Sequence, residues 1–207
     1  PRLAIFEEGA PVEGERTLAR HLLNMDPPDH GKYRNVSSKQ FTPRAARGLE
    51  AKVRRLAGEV LDEAGRRETC DFVQDVSAPI TIGVIAEMLG VPASDRKLLF
   101  KWTNEIIAPQ DPEFQREGGL QDTFNASRME LFAYFHELAE KRRRDPKDDI
   151  VSVVAAGRVD GRPLEPVELL SYYFLLVVAG NETTRNAMTG GLLAFLDSPG
   201  EWAKVQR

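Results

Sequence analysis

The run Ala179-Gly180-Asn181-Glu182-Thr183-Thr184 sets an acid beside an alcohol in the middle of a long apolar segment. This arrangement is expensive. A carboxylate among apolar side chains needs pairing or hydration, and a glycine at a helix centre costs about 1 kcal/mol against alanine. At about 100° per residue, Ala179, Glu182 and Thr183 share a face with Leu175 and Asn186. That face has a flat, side-chain-poor patch at 179 and 180, followed by two groups that can hold and pass a proton. A bulky planar molecule can rest on such a patch. Thr183 can also bond back to the Ala179 carbonyl, bending the helix and opening a groove. The same residues suit a plain helix crossing as well, in which small residues admit a neighbouring backbone, Thr183 satisfies itself and Glu182 finds an arginine.

A second cluster lies in Met25-Asp26-Pro27-Pro28-Asp29-His30-Gly31-Lys32-Tyr33-Arg34. His30 and Arg34, four apart on a helix starting near Asp29, lie on one face and repel mildly unless an anion sits between them. A carboxylate or phosphate held by both removes the conflict. The bland alternative is a neutral His30 capping a turn and an Arg34 in a surface ion pair.

Helices must position these groups. Residues 1–15 read as a loop, and a short helix is expected over Glu15 to Leu23, then a polar one over Asp29 to Lys39. Thr42-Pro43 is an N-cap with proline at the first position of a long amphipathic helix to about Arg67, with Leu49, Val53, Leu56 and Val60 as its core stripe. Cys70 to Val73 is the one extended candidate before residue 158. Ile80 to Leu89 ends at Gly90, and Ser94 caps a helix through Trp102 and Ile106. Pro109 to Gly119 reads as a loop. Leu120 to Arg144 and Asp148 to Ala156 read as helices, and Asp160-Gly161 as a tight turn between small strands. From Pro166 to about Leu196 no further proline intervenes, a rod of roughly 46 Å that is expected to run through the interior. The fold class is mainly α with minor β structure.

Composition narrows the chemistry. The 207 residues are 42% hydrophobic and 29% charged with a net charge of −4, a soluble intracellular pattern that argues against a nucleic-acid partner. Lone Cys70 excludes a disulfide framework and a cysteine zinc site, and the three histidines are widely spaced. No uninterrupted apolar run is long enough to cross a bilayer, and no signal peptide is evident.

Together these segments resemble the haem-thiolate monooxygenases of the cytochrome P-450 family in its bacterial form. Met25 to Arg34 with Phe41-Thr42-Pro43-Arg44 is similar to the family's entry into helix C. Ile85-Ala86-Glu87-Met88-Leu89-Gly90-Val91-Pro92 is similar to the end of helix E, and Ala179 to Thr184 to the oxygen-binding groove of helix I. The likeness runs from about residue 20 to 207.

The resemblance implies haem b, with His30 and Arg34 on its propionates and Ala179 and Gly180 against the porphyrin and dioxygen. It implies that Glu182 and Thr183 are the catalytic acid-alcohol pair, and that Leu175 and Val178 touch a hydrophobic substrate, where plain core packing is the alternative. Electrons from NAD(P)H would arrive through a ferredoxin reductase and a ferredoxin, in the cytoplasm. The family's Glu-x-x-Arg helix and cysteine loop follow helix I, so residues 1–207 are expected to form one incomplete domain. The N-terminal β-rich part and the C-terminal haem-cysteine part would be absent. The cysteine that ligates the haem iron would lie beyond Arg207, no metal ligand would be present in this chain, and Cys70 would be a small buried residue.

Other features are weighed beside this. His136-Glu137-Leu138-Ala139-Glu140 resembles a zinc-protease helix with the wrong fifth residue and reads as solvated surface. Lys141 to Arg144 suits a helix end without any partner. Lys32 and Lys39 could dock a ferredoxin or simply be exposed. Trp102, Ile106, Ile107, Phe124, Phe132 and Phe135 suit a greasy channel or ordinary core. The rival function is a non-catalytic helical small-ligand-binding regulator, or a degenerate fragment.

Overall fold

A computed structural model describes residues 21–205, which are predominantly helical. The expected loop over 1–15 and most of the helix expected from Glu15 lie outside the described residues. So does Arg207, the position beyond which the haem-iron cysteine is expected. Helix α1 spans Asp29–Asn35, and a 3-10 turn, Ser38–Phe41, leads into α2, Pro43–Ala64. The polar helix expected to reach Lys39 is thus broken in two. The Thr42 hydroxyl accepts from the Ala45 amide at 3.3 Å and Pro43 occupies the first turn, so α2 starts where its cap residues dictate.

Cys70 to Val73 is not a strand. Asp71 caps the Val73 and Gln74 amides at 2.8 and 3.0 Å, and Phe72–Ser77 winds as a π-helix directly into α3, Ala78–Leu89. Val76 is buried with Ile80 and Ala64, beside Phe72 and Val60. Cys70 itself is exposed, not buried as expected. The continuous stretch Phe72–Leu89 is apolar and long enough by composition to cross a membrane, but half of it is buried inside the fold.

Helix α3 ends at Gly90, whose φ of 75° is the left-handed conformation that favours glycine. A Cβ there would stand 2.1 Å from Asp149 Oδ2, so the position is closed to any side chain. Helix α4 follows at Arg96–Ile107, α5 at Leu120–Arg144 and α6 at Ile150–Ala155. Ser94 lies in a 3-10 turn, Ala93–Asp95, one turn before the helix it was expected to cap. The α3, α5 and α6 ends meet at Asp149. Its carboxylate caps the Ser152 amide at 2.7 Å and accepts from Arg142 Nε at 2.5 Å, while Arg142 Nη2 reaches the Gly90 carbonyl at 2.9 Å. One member of the basic run 141–144 therefore has a buried partner.

Strands β1, Arg158–Val159, and β2, Arg162–Pro163, pair antiparallel with Val159 opposite Arg162. Asp160 and Gly161 between them both have positive φ, as a two-residue hairpin turn requires. Helix α7, Pro166–Asp197, is 32 residues long, and α8, Pro199–Val205, follows it. The main apolar cluster joins α3, α4, α5, α6 and the first half of α7, with Leu99, Leu131, Phe135, Val151, Val154, Tyr173 and Val177 fully buried. Phe135 stacks on Tyr173 at 5.1 Å, and the Tyr173 hydroxyl is satisfied by the Val151 carbonyl at 2.8 Å. Helix α7 is interior only as far as Asn181. Beyond it polar residues take over and Leu193 and Leu196 are exposed, so the expectation of a rod buried along its length holds for its first half.

Candidate functional site

The turn at residues 179–183 sits where α7 passes from core to surface. Thr183 Oγ1 donates to the Ala179 carbonyl at 2.8 Å, and its residue is exposed. Ala179 is half-buried. Gly180 faces α3: a Cβ at this position would lie 2.9 Å from Ile85 Cδ1, so its missing side chain lets the two helices approach. The small residues therefore serve a close crossing as well as leaving a bare turn on the other side.

Among the described residues Glu182 and Thr183 bond different partners. Glu182 Oε1 accepts from Arg185 Nη2 at 2.6 Å and from Asn186 Nδ2 at 3.0 Å, and Oε2 is buried without a partner among the described residues. Arg185 Nη1 donates in turn to Asn104 Oδ1 on α4 at 2.7 Å. One residue before Glu182, Asn181 is fully buried, and both ends of its amide are used. Thr81 Oγ1 on α3 donates to Asn181 Oδ1 at 2.7 Å, and Asn181 Nδ2 donates to Thr103 Oγ1 on α4 at 3.1 Å. Thr81, Thr103 and Asn104 were absent from the sequence expectations, and Arg185 is the arginine that the plain helix-crossing alternative gave to Glu182. An arginine three residues after the acid was a visible signal, since i,i+3 neighbours on a helix meet. The α3 and α4 partners lie 78 to 100 residues away and left no local trace.

Helix α1 is docked on α7 about two turns earlier. The Tyr172 hydroxyl is within 2.7 Å of Ser37 Oγ and donates to the Tyr33 carbonyl at 3.3 Å, so it accepts from Ser37. Burial raises the Tyr172 pKa, keeping the phenol neutral and able to donate. At the same end Arg162 and the Tyr33 hydroxyl both bond Glu168, whose carboxyl is held down at about 2 chiefly by the Arg162 guanidinium. His30 is half-buried and Arg34 exposed, and among the described residues neither side chain has a hydrogen-bond or ion-pair partner. Lys32, by contrast, is engaged by Asp160 at 2.6 Å, whereas Lys39 is exposed.

Leu175 is buried but belongs to neither apolar cluster of the described residues, whereas Val178 packs on the main one. Trp102, Ile106, Phe132 and Phe135 are members of that core, with Ile107 and Phe124 packed against it, so ordinary packing accounts for them. His136 and Glu137 are exposed surface, and no cluster of three potential metal ligands occurs among the described residues.

Comparison with known proteins bears on the family and the fold. No protein-family model matches the chain. It is 38% identical to a steroid C26-monooxygenase of Rhodococcus jostii over 95% of its own length and 41% of the relative's. A Mycobacterium marinum cytochrome P-450 solved with pseudoionone superposes with a TM-score of 0.87 at 31% identity, over 95% of this chain and 48% of that one. The chain belongs to the cytochrome P-450 family. It is also 36% identical to a methyl-branched lipid omega-hydroxylase of Mycobacterium bovis, over 86% of this chain and 42% of the relative. The chain thus spans about two-fifths of the length of the curated relatives it matches.

This cytochrome P-450 chain fits part of a haem. His30 and Arg34 are two donors on one short helix with no competing partner among the described residues, which suits paired carboxylates. Ala179 and the exposed side of the 179–183 turn suit a flat macrocycle. Cys70 does not fit the family's thiolate ligand: it is exposed, just ahead of the π-helix.

Proposed function

We propose that this chain forms the distal haem pocket and proton-delivery groove of a monooxygenase. The enzyme would insert one oxygen atom of dioxygen into a hydrophobic substrate such as a sterol, fatty acid or related lipid. The carrying observation is the single turn of α7 in which Thr183 closes on Ala179 while the neighbouring Glu182 keeps one oxygen anchored and one free. The names of the relatives, a steroid C26-monooxygenase and a methyl-branched lipid omega-hydroxylase, support the substrate class.

Haem b, when bound, supplies the iron at which electrons and dioxygen combine. The work of this chain is to hold the haem and manage protons. His30 and Arg34 would bind the two propionates through charge-assisted hydrogen bonds, roughly twice as strong as neutral ones. Ala179 and the Gly180 backbone would lie against the macrocycle. The Thr183 proton is committed to the Ala179 carbonyl, so its oxygen lone pairs are left to accept, and a water held there could pass protons inward. Glu182 would resupply them as the general acid. Leu175 and Val178 would touch the substrate.

Electrons would come from NAD(P)H through a ferredoxin reductase and a ferredoxin, in the cytoplasm. With Lys32 engaged by Asp160, Lys39 is the lysine of that pair left for docking. The test is the full-length protein expressed with haem, reduced and exposed to carbon monoxide. A thiolate-type Soret band together with hydroxylated product from a sterol or fatty acid is expected. A protein that binds no haem yet retains the lipid would overturn the proposal in favour of a ligand-binding regulator.

A further inference from the structure

Three buried polar atoms without a partner among the described residues gather in one place: Asn104 Nδ2, Glu182 Oε2 and Arg185 Nε. Each such atom costs about 1–3 kcal/mol unless something satisfies it, so an apolar replacement would pack at lower cost. They belong to a chain of contacts running from Asn104 through Arg185 to Glu182 at 2.7 and 2.6 Å. Asn104 is only 2% exposed, so the far end of this chain is rigidly enclosed. Next to it on α4, Thr103 is fixed to Asn181, and Asn181 to Thr81 of α3. The register of α4 against α7 is therefore set by polar contacts at the very turn that carries the acid.

We propose that Arg185 and Asn104 are positioning residues for Glu182, anchoring one carboxylate oxygen on the α4 side and leaving the other open to a buried water. The inference rests on the proton-delivery reading of Glu182 given above. An acid that relays protons must return to the same place after each transfer. Arg185 holds Oε1 with a planar fork whose other arm is held by Asn104, so the carboxylate is tethered at one atom without being sealed at both. Oε2 can then bond a water that also meets Asn104 Nδ2, and a buried water with two to four polar partners is an ordinary part of a folded protein. A proton on Oε2 would pass to that water as the water hands one of its own onward, and Oε2, itself closed to bulk solvent, would be reprotonated through the same water. The other group bonded to Glu182 is uncharged, the Asn186 amide on its own helix, and Asn104, which holds the far arm of Arg185, is uncharged too. No second cation competes with Arg185 for this carboxylate among the described residues.

The experiment compares Arg185→Ala, Arg185→Lys, Asn104→Ala, Glu182→Gln and the Arg185→Ala/Glu182→Gln pair in the full-length, haem-loaded protein. Two readings are taken: product formed per NAD(P)H consumed, and the C–O stretching frequency of carbon monoxide on the reduced haem, which reports the field on the distal side without turnover. Arg185→Ala is expected to lower product formation about tenfold at unchanged KM, less than the roughly hundredfold or more of losing a proton-transfer group outright, because Glu182 itself remains. It should also shift or split the C–O band. Arg185→Lys, which keeps the charge and loses the fork, should stay impaired, and Asn104→Ala should move both readings in the same direction. The deciding result is the pair: if Arg185 acts through Glu182, the double variant is no worse than Glu182→Gln alone and its C–O band matches. Additive losses, or an unmoved band in Arg185→Ala, would overturn the proposal. Should Arg185→Ala fail to fold, the same comparison is made with Asn104→Ala and its pair with Glu182→Gln. A wild-type protein lacking the thiolate-type Soret band would instead sink the monooxygenase reading, so the two failures are distinct.

Discussion

The Arg116 guanidinium, carried by the loop between α4 and α5, grips the buried Glu105 carboxylate with Nη2 at 2.6 Å and Nε at 3.1 Å. The same guanidinium reaches Glu130 on α5 at 2.7 and 3.0 Å, and Ser127 Oγ bonds Glu105 Oε2 at 2.5 Å. Trp102 Nε1 completes the Glu130 carboxylate at 2.8 Å. A loop that inserts its charge between two helices in this way fixes their spacing. Removing Arg116 leaves Glu105 buried and uncompensated, and breaking a buried pair from one side costs on the order of 3 kcal/mol or more. Arg116→Ala should therefore lower the urea midpoint markedly. Glu105→Gln in the same background should recover part of the loss, because a neutral amide is cheaper to bury. Equal midpoints for wild type and Arg116→Ala would show the grip to be energetically idle.

Acid sensitivity follows from two carboxylates. Arg116 draws the Glu130 carboxyl down to about 2, and Arg162 does the same to Glu168. A carboxylate whose folded pKa lies below its unfolded value adds stability that is fully present above the unfolded pKa, near 4.5, and fades as pH falls toward the folded one. The urea midpoint should thus decline between about pH 4.5 and pH 2. Glu168→Gln should flatten that decline more than Glu130→Gln, since Glu130 is the more exposed of the two and water screens its pair. A midpoint independent of pH across this window would remove both ion pairs from the account.

Gly180 makes a prediction of a different kind. A Cβ at this position would press on Ile85 Cδ1 at 2.9 Å, so Gly180→Ala sets about 1 kcal/mol of gained helix propensity against about 1–3 kcal/mol of overpacking. Net destabilisation is expected. Ile85→Val removes the offending methyl, so the double variant should be more stable than the sum of the two single changes implies. Thermal unfolding of the four proteins measures that coupling directly, and strict additivity would place the Gly180 hydrogen in open space.

How far the sequence was legible depended on the range of the interaction. Thr42-Pro43, Gly90, the Asp160-Gly161 turn and Pro166 mark element ends by local chemistry, and the structure has ends at each. The acid-alcohol turn was legible because polarity inside an apolar helix is conspicuous, and Thr183 does bond back to Ala179 as its spacing allows. Phe72-Val73 was misread because two β-favouring residues outweigh one aspartate on paper. In the fold, Asp71 caps the turn and Val76 finds Ile80 and Ala64, which settles the segment as helix. Thr103, Asn104 and Glu105 were illegible as a group. Each bonds a different distant partner, Asn181, Arg185 and Arg116, and nothing in a linear reading ties those together.

Thr183 carries the sharpest functional expectation. Its residue is exposed, and because its proton is given to the Ala179 carbonyl, its oxygen lone pairs are left to accept from a water. In the full-length, haem-loaded protein, Thr183→Ala should consume NAD(P)H at close to the normal rate while diverting most of the reducing equivalents into hydrogen peroxide, because proton delivery is lost and electron delivery is untouched. Thr183→Ser keeps the hydroxyl and should restore most of the product. A helix bend held open by the Thr183 to Ala179 bond is the structural alternative. It predicts that Thr183→Val, isosteric but unable to bond, disturbs haem uptake and thermal stability as much as it disturbs coupling. Peroxide and product measured side by side, with haem content as the control, separate the two, and unchanged product per NAD(P)H in Thr183→Ala would end the assignment.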